Sequence, residues 1–264
     1  MKNPLILIAA SALVTSAFAG NVQVQVLDRD GRPVADPVVV LCPASSAAAP
    51  PSLLLASPTI EQEKMRFVPA VSVVLPGSTV RLTNQDRWDH HVRGAPAGLG
   101  VSTAGSTSAP SATNATPSGV ASSSTGFELR LSGKTQGKPS SYADVLLDTP
   151  GVMLLSCHLH GSMRGHVFVT DSAWTLKTDG DGIARFAGVP DGAAQVRVWH
   201  AEQLVDLPRK ALNVVPGPVL DTVQLSVVPR APRRAPAPAS PPAGGPTGGY
   251  SQAPVIGTQV AHQH

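Results

Sequence analysis

The segment Leu155-Ser156-Cys157-His158-Leu159-His160-Gly161-Ser162-Met163 sets a thiol, an imidazole and a thioether three residues apart, as Cys157-x-x-His160-x-x-Met163. Val152-Met153-Leu154-Leu155 precedes it and His166-Val167-Phe168-Val169 follows it, so the donors lie on a tight loop between two strands. Soft sulfur donors with imidazole suit one copper ion. A second imidazole has to come from elsewhere, and Asp89-His90-His91-Val92, just after the strand-like Thr79-Val80-Arg81-Leu82, offers two. Adjacent strand residues point to opposite faces, so one of His90 and His91 reaches the ion. Zinc accepts a Cys-His-His set but leaves Met163 idle. Met163 has the alternative of filling a core gap, as methionine readily does. A nucleophilic Cys157 would have imidazoles beside it, but no third group to orient them is evident.

These donors need a frame, and the chain from Gly20 to Val228 supplies short β-branched runs instead of helical periodicity. Val22–Leu27, Val71–Leu75, Phe127–Leu131 and Gln195–Trp199 join those already named, many alternating apolar with polar. Asp30-Gly31, Pro76-Gly77, Pro150-Gly151, Asp181-Gly182 and Asp191-Gly192 provide turns between them. Evenly spaced short strands predict an all-β chain of sandwiches. Two stretches break the pattern. Residues 95–125 are almost wholly Ser, Thr, Ala, Gly and Pro and read as a disordered loop; residues 229–264 read as an extended Pro, Ala and Gly tail. His262 and His264 end that tail, where a specific metal site is not expected.

Lys2, the apolar run Pro4–Val14 and the small-residue ending Ala17-Phe18-Ala19 read as a secretory signal over residues 1–19. The expected place is the periplasm or outside the cell, with no membrane insertion after cleavage. The 20 Lys and Arg nearly balance 17 Asp and Glu, and aromatics are 4% of the chain, which argues against a nucleic-acid surface. Two cysteines in an exported chain raise a Cys42–Cys157 disulfide. Their settings differ: Cys42 ends the run Val38-Val39-Val40-Leu41 like a small buried thiol, whereas Cys157 sits among donors.

Asn84-x-Asp86-x-x-x-His90, a long gap, then Cys157-x-x-His160-x-x-Met163 resembles the cupredoxins. The His160 to Met163 gap is similar to that of amicyanin. The chain is more similar still to cupredoxin-domain proteins often labelled methylamine-utilisation proteins, through Phe67-Val68-Pro69, Gly77, His90-His91-Val92, Phe127-Glu128-Leu129, Pro150-Gly151-Val152 and Thr178-Asp179-x-x-Gly182. The resemblance implies a Greek-key sandwich over residues 58–170, with 95–125 inserted. It also implies one mononuclear type 1 copper held by His90, Cys157, His160 and axial Met163. His91 then stands where such proteins often carry a residue that braces the thiolate loop, and His158 falls at the exposed rim. Residues 20–57 with 171–228 resemble a carboxypeptidase regulatory-like sandwich, discontinuous around the copper domain. In it Asp179-Gly180-Asp181-Gly182 is a turn, with calcium as the alternative. Trp199-His200 is expected to be a strand end with a satisfied imidazole.

With all donors supplied by protein and no general base evident, the site implies electron transfer with a redox partner protein of unknown identity, and no enzyme. Copper delivery or storage, and a structural sandwich with a degenerate site, are the alternatives.

Overall fold

The computed structural model describes residues 19–45, 54, 57–97, 121–122 and 126–230. The signal segment and the C-terminal tail, His262 and His264 included, lie outside the described residues, as does most of the 95–125 stretch. Among the described residues every regular element is a strand: β1 (Ala19–Leu27), β2 (Val38–Pro43), β3 (Thr59–Glu63), β4 (Arg66–Val68), β5 (Val71–Val74), β6 (Ser78–Asn84), β7 (His90–Ala97), β8 (Ala121–Ser122) and β9 (Phe127–Leu131). They continue as β10 (Tyr142–Leu147), β11 (Gly151–Cys157), β12 (Arg164–Val169), β13 (Thr175–Lys177), β14 (Ile183–Pro190), β15 (Gly192–Trp199), β16 (Lys210–Val214) and β17 (Gly217–Gln224). The fold is all-β, and no helix among the described residues is long and apolar enough to cross a membrane.

Period-two patterning builds a five-stranded sheet β4-β3-β6-β10-β8 and a second, β5-β12-β11-β7-β9. Alternate residues such as Val80 and Leu82, Val145 and Leu147, Met153 and Leu155 turn inward and share one core with Leu129, Leu131 and Val167. A three-stranded sheet β14-β1-β17 faces a four-stranded sheet β13-β2-β15-β16 over a separate core of Val22, Val24, Leu41, Trp174, Phe186 and Val196. β1 lies between β14 and β17, pairing antiparallel with the first and parallel with the second. The two layered bodies meet through Val38, Val40 and Phe168, with Trp199 against Phe168 at 5.5 Å between ring centroids.

Two expectations need correction: the loop reading of 95–125 and the burial of Cys42. Residues 95–97 are not loop: they complete β7 and pair with Leu154, Met153 and Val152, while Ala121 and Ser122 pair with Val145 and Leu146. A ladder is made by backbone groups, so small side chains suffice, and among 95–97 only Pro96 lacks an N–H. Cys42 and Cys157 are both free thiols, in keeping with their different settings. Cys42, however, is not fully buried. It lines a cleft of about 670 Å³ with Phe168, Trp199, Arg197 and Arg209, and burial is the main cause that pushes its thiol pKa up.

The Asp179 loop is a turn. Its Oδ1 accepts the amides of Asp181 and Ile183, Oδ2 pairs with Arg185, and Gly182 takes φ of 73°. Those bonds make Asp179 the anchor of the turn. His200 Nδ1 accepts the Glu202 amide at 3.2 Å, as a satisfied strand-end imidazole does.

Burial lowers the pKa of His166, with His200 and Arg164 adding to the effect; it also lowers that of His200, against the opposing pull of Glu202 and Asp36. A folded state that favours neutral imidazole keeps this stability above about pH 6.5 and loses it progressively as pH falls from there through the lowered folded-state pKa values. Urea midpoints of the metal-free protein should therefore drop below about pH 6.5, with a shallower drop in His166→Phe.

Gln62 is fully buried, and neither its Nε2 nor its Oε1 finds a hydrogen-bond partner among the described residues. An unpaired buried amide costs about 1–3 kcal/mol. Gln62→Met should raise the unfolding free energy by about 1 kcal/mol, read from denaturant titration.

Candidate metal centre

The loop after β6 begins with Asn84, whose side chain acts as a clamp. Its Nδ2 donates to the carbonyls of Trp88, Leu131 and Ser132, and its Oδ1 accepts the Asp86 amide at 2.9 Å. Asp86 is therefore delivered to a fixed place inside the sandwich. Its carboxylate accepts the amides of Lys64 at 2.6 Å and Met65 at 2.9 Å, and Oδ2 lies 3.0 Å from His90 Nε2. Burial alone would raise the Asp86 pKa, but the Met65 amide, the His90 imidazole and the Lys64 amide together hold it below the usual carboxylate range. The carboxylate is thus an acceptor, and His90 Nε2 carries the proton it receives.

That assignment leaves Nδ1 of His90 with its lone pair free for an ion, and Nδ1 faces Cys157 Sγ at 3.6 Å. Cys157 ends β11, opposite Val92 in β7, so the β7–β11 ladder brings the two together across 67 residues of sequence. His160 Nδ1 approaches the same sulfur at 3.5 Å, and the His90 and His160 rings stand 4.8 Å apart. The three donor atoms lie within 4.8 Å of one another. Donors about 2.0–2.3 Å from a shared ion stand about 3.5–3.8 Å apart in tetrahedral or trigonal geometry, so both sulfur–nitrogen spacings fit. Imidazole and thiolate together are a donor set suited to copper.

Met163 is fully buried in the core that contains Cys157, and its amide donates to the His160 carbonyl at 2.9 Å, closing the loop. His90 is fully buried and Cys157 nearly so, while His160 is part-exposed. His91 points away from this group, as strand alternation requires, with its side chain 40% exposed. His158 is outside too, at 50%. Gly133 secures the loop from below: its amide donates to Asp89 Oδ1 at 2.9 Å, and a Cβ there would collide with the Arg87 carbonyl.

Asp86 is the functional residue that ligand-type reasoning passes over. A carboxylate four residues before a candidate imidazole ligand is the signal for it, because such histidines commonly donate their second N–H to a carboxylate. Asp86→Asn should weaken copper affinity by about 10- to 100-fold in a competition titration, with Cys157 and His160 unchanged.

No family model matches the chain, and no curated protein matches it. Among solved structures it is similar to a mutant of amicyanin with Cu(I), at 18% identity over 44% of this chain and 83% of that one, TM-score 0.28. Reduced auracyanin from Roseiflexus castenholzii is 16% identical over 44% of this chain and 98% of its own, TM-score 0.30. A copper-containing nitrite reductase from Thermus scotoductus is 18% identical over 49% of this chain and 25% of its own, TM-score 0.26. Overlaps of this size carry no argument about the centre.

Proposed function

We propose that the chain is a type 1 copper protein that transfers electrons, in which His90, Cys157, His160 and Met163 would hold one copper ion. The observation that carries this reading is the convergence of two imidazole Nδ1 atoms on one buried thiol at 3.5 and 3.6 Å. Bound there, copper would supply one-electron exchange between Cu(I) and Cu(II).

The protein's part is to hold those donors still and dry. Asp86 fixes the His90 ring and its tautomer; the β7–β11 ladder fixes Cys157 relative to His90; the Met163 amide bond to the His160 carbonyl fixes the loop. Donors that do not move between oxidation states keep reorganisation small. Burial of Cys157 and Met163 keeps water from the sulfurs, which protects the thiol from the oxidation an exposed thiolate invites. His160 alone among the three grouped donors reaches the surface, and it is the exit we assign to the electron.

The reading extends to place and partner. We assign the mature chain to the periplasm or the cell exterior on the strength of the signal-like residues 1–19, and a redox protein of unknown identity as its partner. The relation of residues 20–57 and 171–228 to carboxypeptidase regulatory-like domains, and of the whole to methylamine-utilisation proteins, stands on the sequence motifs alone.

Metal analysis and visible spectroscopy of the wild type beside Cys157→Ser test the centre. The wild type should hold one copper per chain and show intense thiolate-to-copper charge transfer with reversible redox cycling; Cys157→Ser should lose that absorption. Equal copper content and an unchanged spectrum in the variant would sink the proposal.

A further inference from the structure

The alternation that sends His90 and Cys157 inward sends their neighbours His91 and His158 outward, and there they meet again. His158 N–H donates to the His91 carbonyl at 2.9 Å, and the two rings stand 5.1 Å apart on the outer face of the same sheet. Glu128 of β9 reaches over them. His91 Nε2 lies 3.8 Å from Glu128 Oε2, and His158 Nε2 lies 3.8 Å from Glu128 Oε1. Two imidazoles and one carboxylate thus converge on a patch of the surface that plays no part in the inner centre.

We propose that His91, His158 and Glu128 form a second, outer metal site for a borderline divalent cation such as Zn(II). Imidazole nitrogen and carboxylate oxygen are the donors such an ion takes, and a His2Glu set leaves its fourth position to water. Donors about 2.1 Å from a tetrahedral ion stand about 3.4 Å apart. Each imidazole lies 3.8 Å from its own oxygen of Glu128, so this group is more open than the inner one, whose three donor atoms already lie within 4.8 Å of one another. An ion would draw the three side chains together, and at 37–50% exposed they have room to turn.

One competing group is present. Arg93 Nε lies 3.8 Å from Glu128 Oε1, and its side chain is 54% exposed, so it can swing into solvent when the carboxylate turns to an ion. Arg130, opposite His91 across the β7–β9 ladder, is already committed to Asp89 at 3.0 Å. No inner donor is used, so the site stands apart from the copper reading. The backbone that carries it is nevertheless the same pair of strands, one residue further along each.

Zinc binding to the full-length chain tests it, with His262→Ala and His264→Ala in every sample to remove the terminal pair. The inner Cys-His-His group takes zinc as well, so native mass spectrometry should count two Zn(II) per chain, falling to one in His158→Asn with Glu128→Gln. Calorimetry on Cys157→Ser/His160→Ala, which lacks two inner donors, should still show one site, weakened more than about tenfold by adding His158→Asn. The imidazole resonances of His91 and His158 should shift on zinc addition. A single zinc per chain, held equally with and without His158 and Glu128, overturns the proposal, as does a calorimetric site that ignores His158→Asn. Both outer residues are exposed, so circular dichroism of their variants should match the parent.

Discussion

The hydrogen bond from His90 Nε2 to Asp86 Oδ2, 3.0 Å long and buried, is the contact on which the centre depends. A histidine with no partner on Nε2 could present either nitrogen to an ion and could turn about its side-chain bonds. Here one nitrogen is committed, so the other is aimed. The carboxylate is itself held by two backbone amides and by the turn that Asn84 organises, so the constraint runs outward to the β3–β4 turn and to the end of β6. Removing any of these would leave a buried polar group unsatisfied, and such groups are expensive. Stability and metal geometry are therefore enforced by the same bonds.

Much of the centre was legible because it is local. Cys157, His160 and Met163 lie on one loop, and their spacing says which chemistry they suit. His90 is different: it reaches Cys157 only through the β7–β11 ladder, and nothing in either segment names the other as its partner. Strand alternation required that His90 and His91 face opposite ways, but the choice of inner residue came from a motif, and burial in the fold agrees with it. Asp86 and Glu128 were missed as actors because a carboxylate in a loop or strand has many possible roles until its neighbours are known. The 95–125 boundary failed for a simpler reason. Ala95-Pro96-Ala97 has the composition of a loop, yet a sheet is joined by backbone groups that composition does not report.

The two layered bodies divide the work. The ten-stranded body contains every donor, whereas the seven-stranded one presents Val38, Val40 and Trp199 to the back of the donor-bearing sheet, where they pack on Phe168. That face would otherwise be a broad apolar surface open to water. Covering it stiffens β11 and β12, the strands on either side of the Cys157–Met163 loop. The cleft lined by Cys42, Arg197 and Arg209 is the gap left where the two curved surfaces part.

The position of β1 governs the order in which the molecule can be completed. Its eight partners on one side run from Gly217 to Gln224, so the first described strand and the last are neighbours. Between them lies all of the donor-bearing body, which is contiguous and can close on its own contacts. A chain emerging N-terminus first holds β1 unpaired until almost everything else has been made. Such distant pairing is slow to form, because the entropy of a large loop has to be offset before the contact is gained. The pairing that ties the seven-stranded body together is therefore the last to be made, whereas the two donor-bearing sheets take no strand from it.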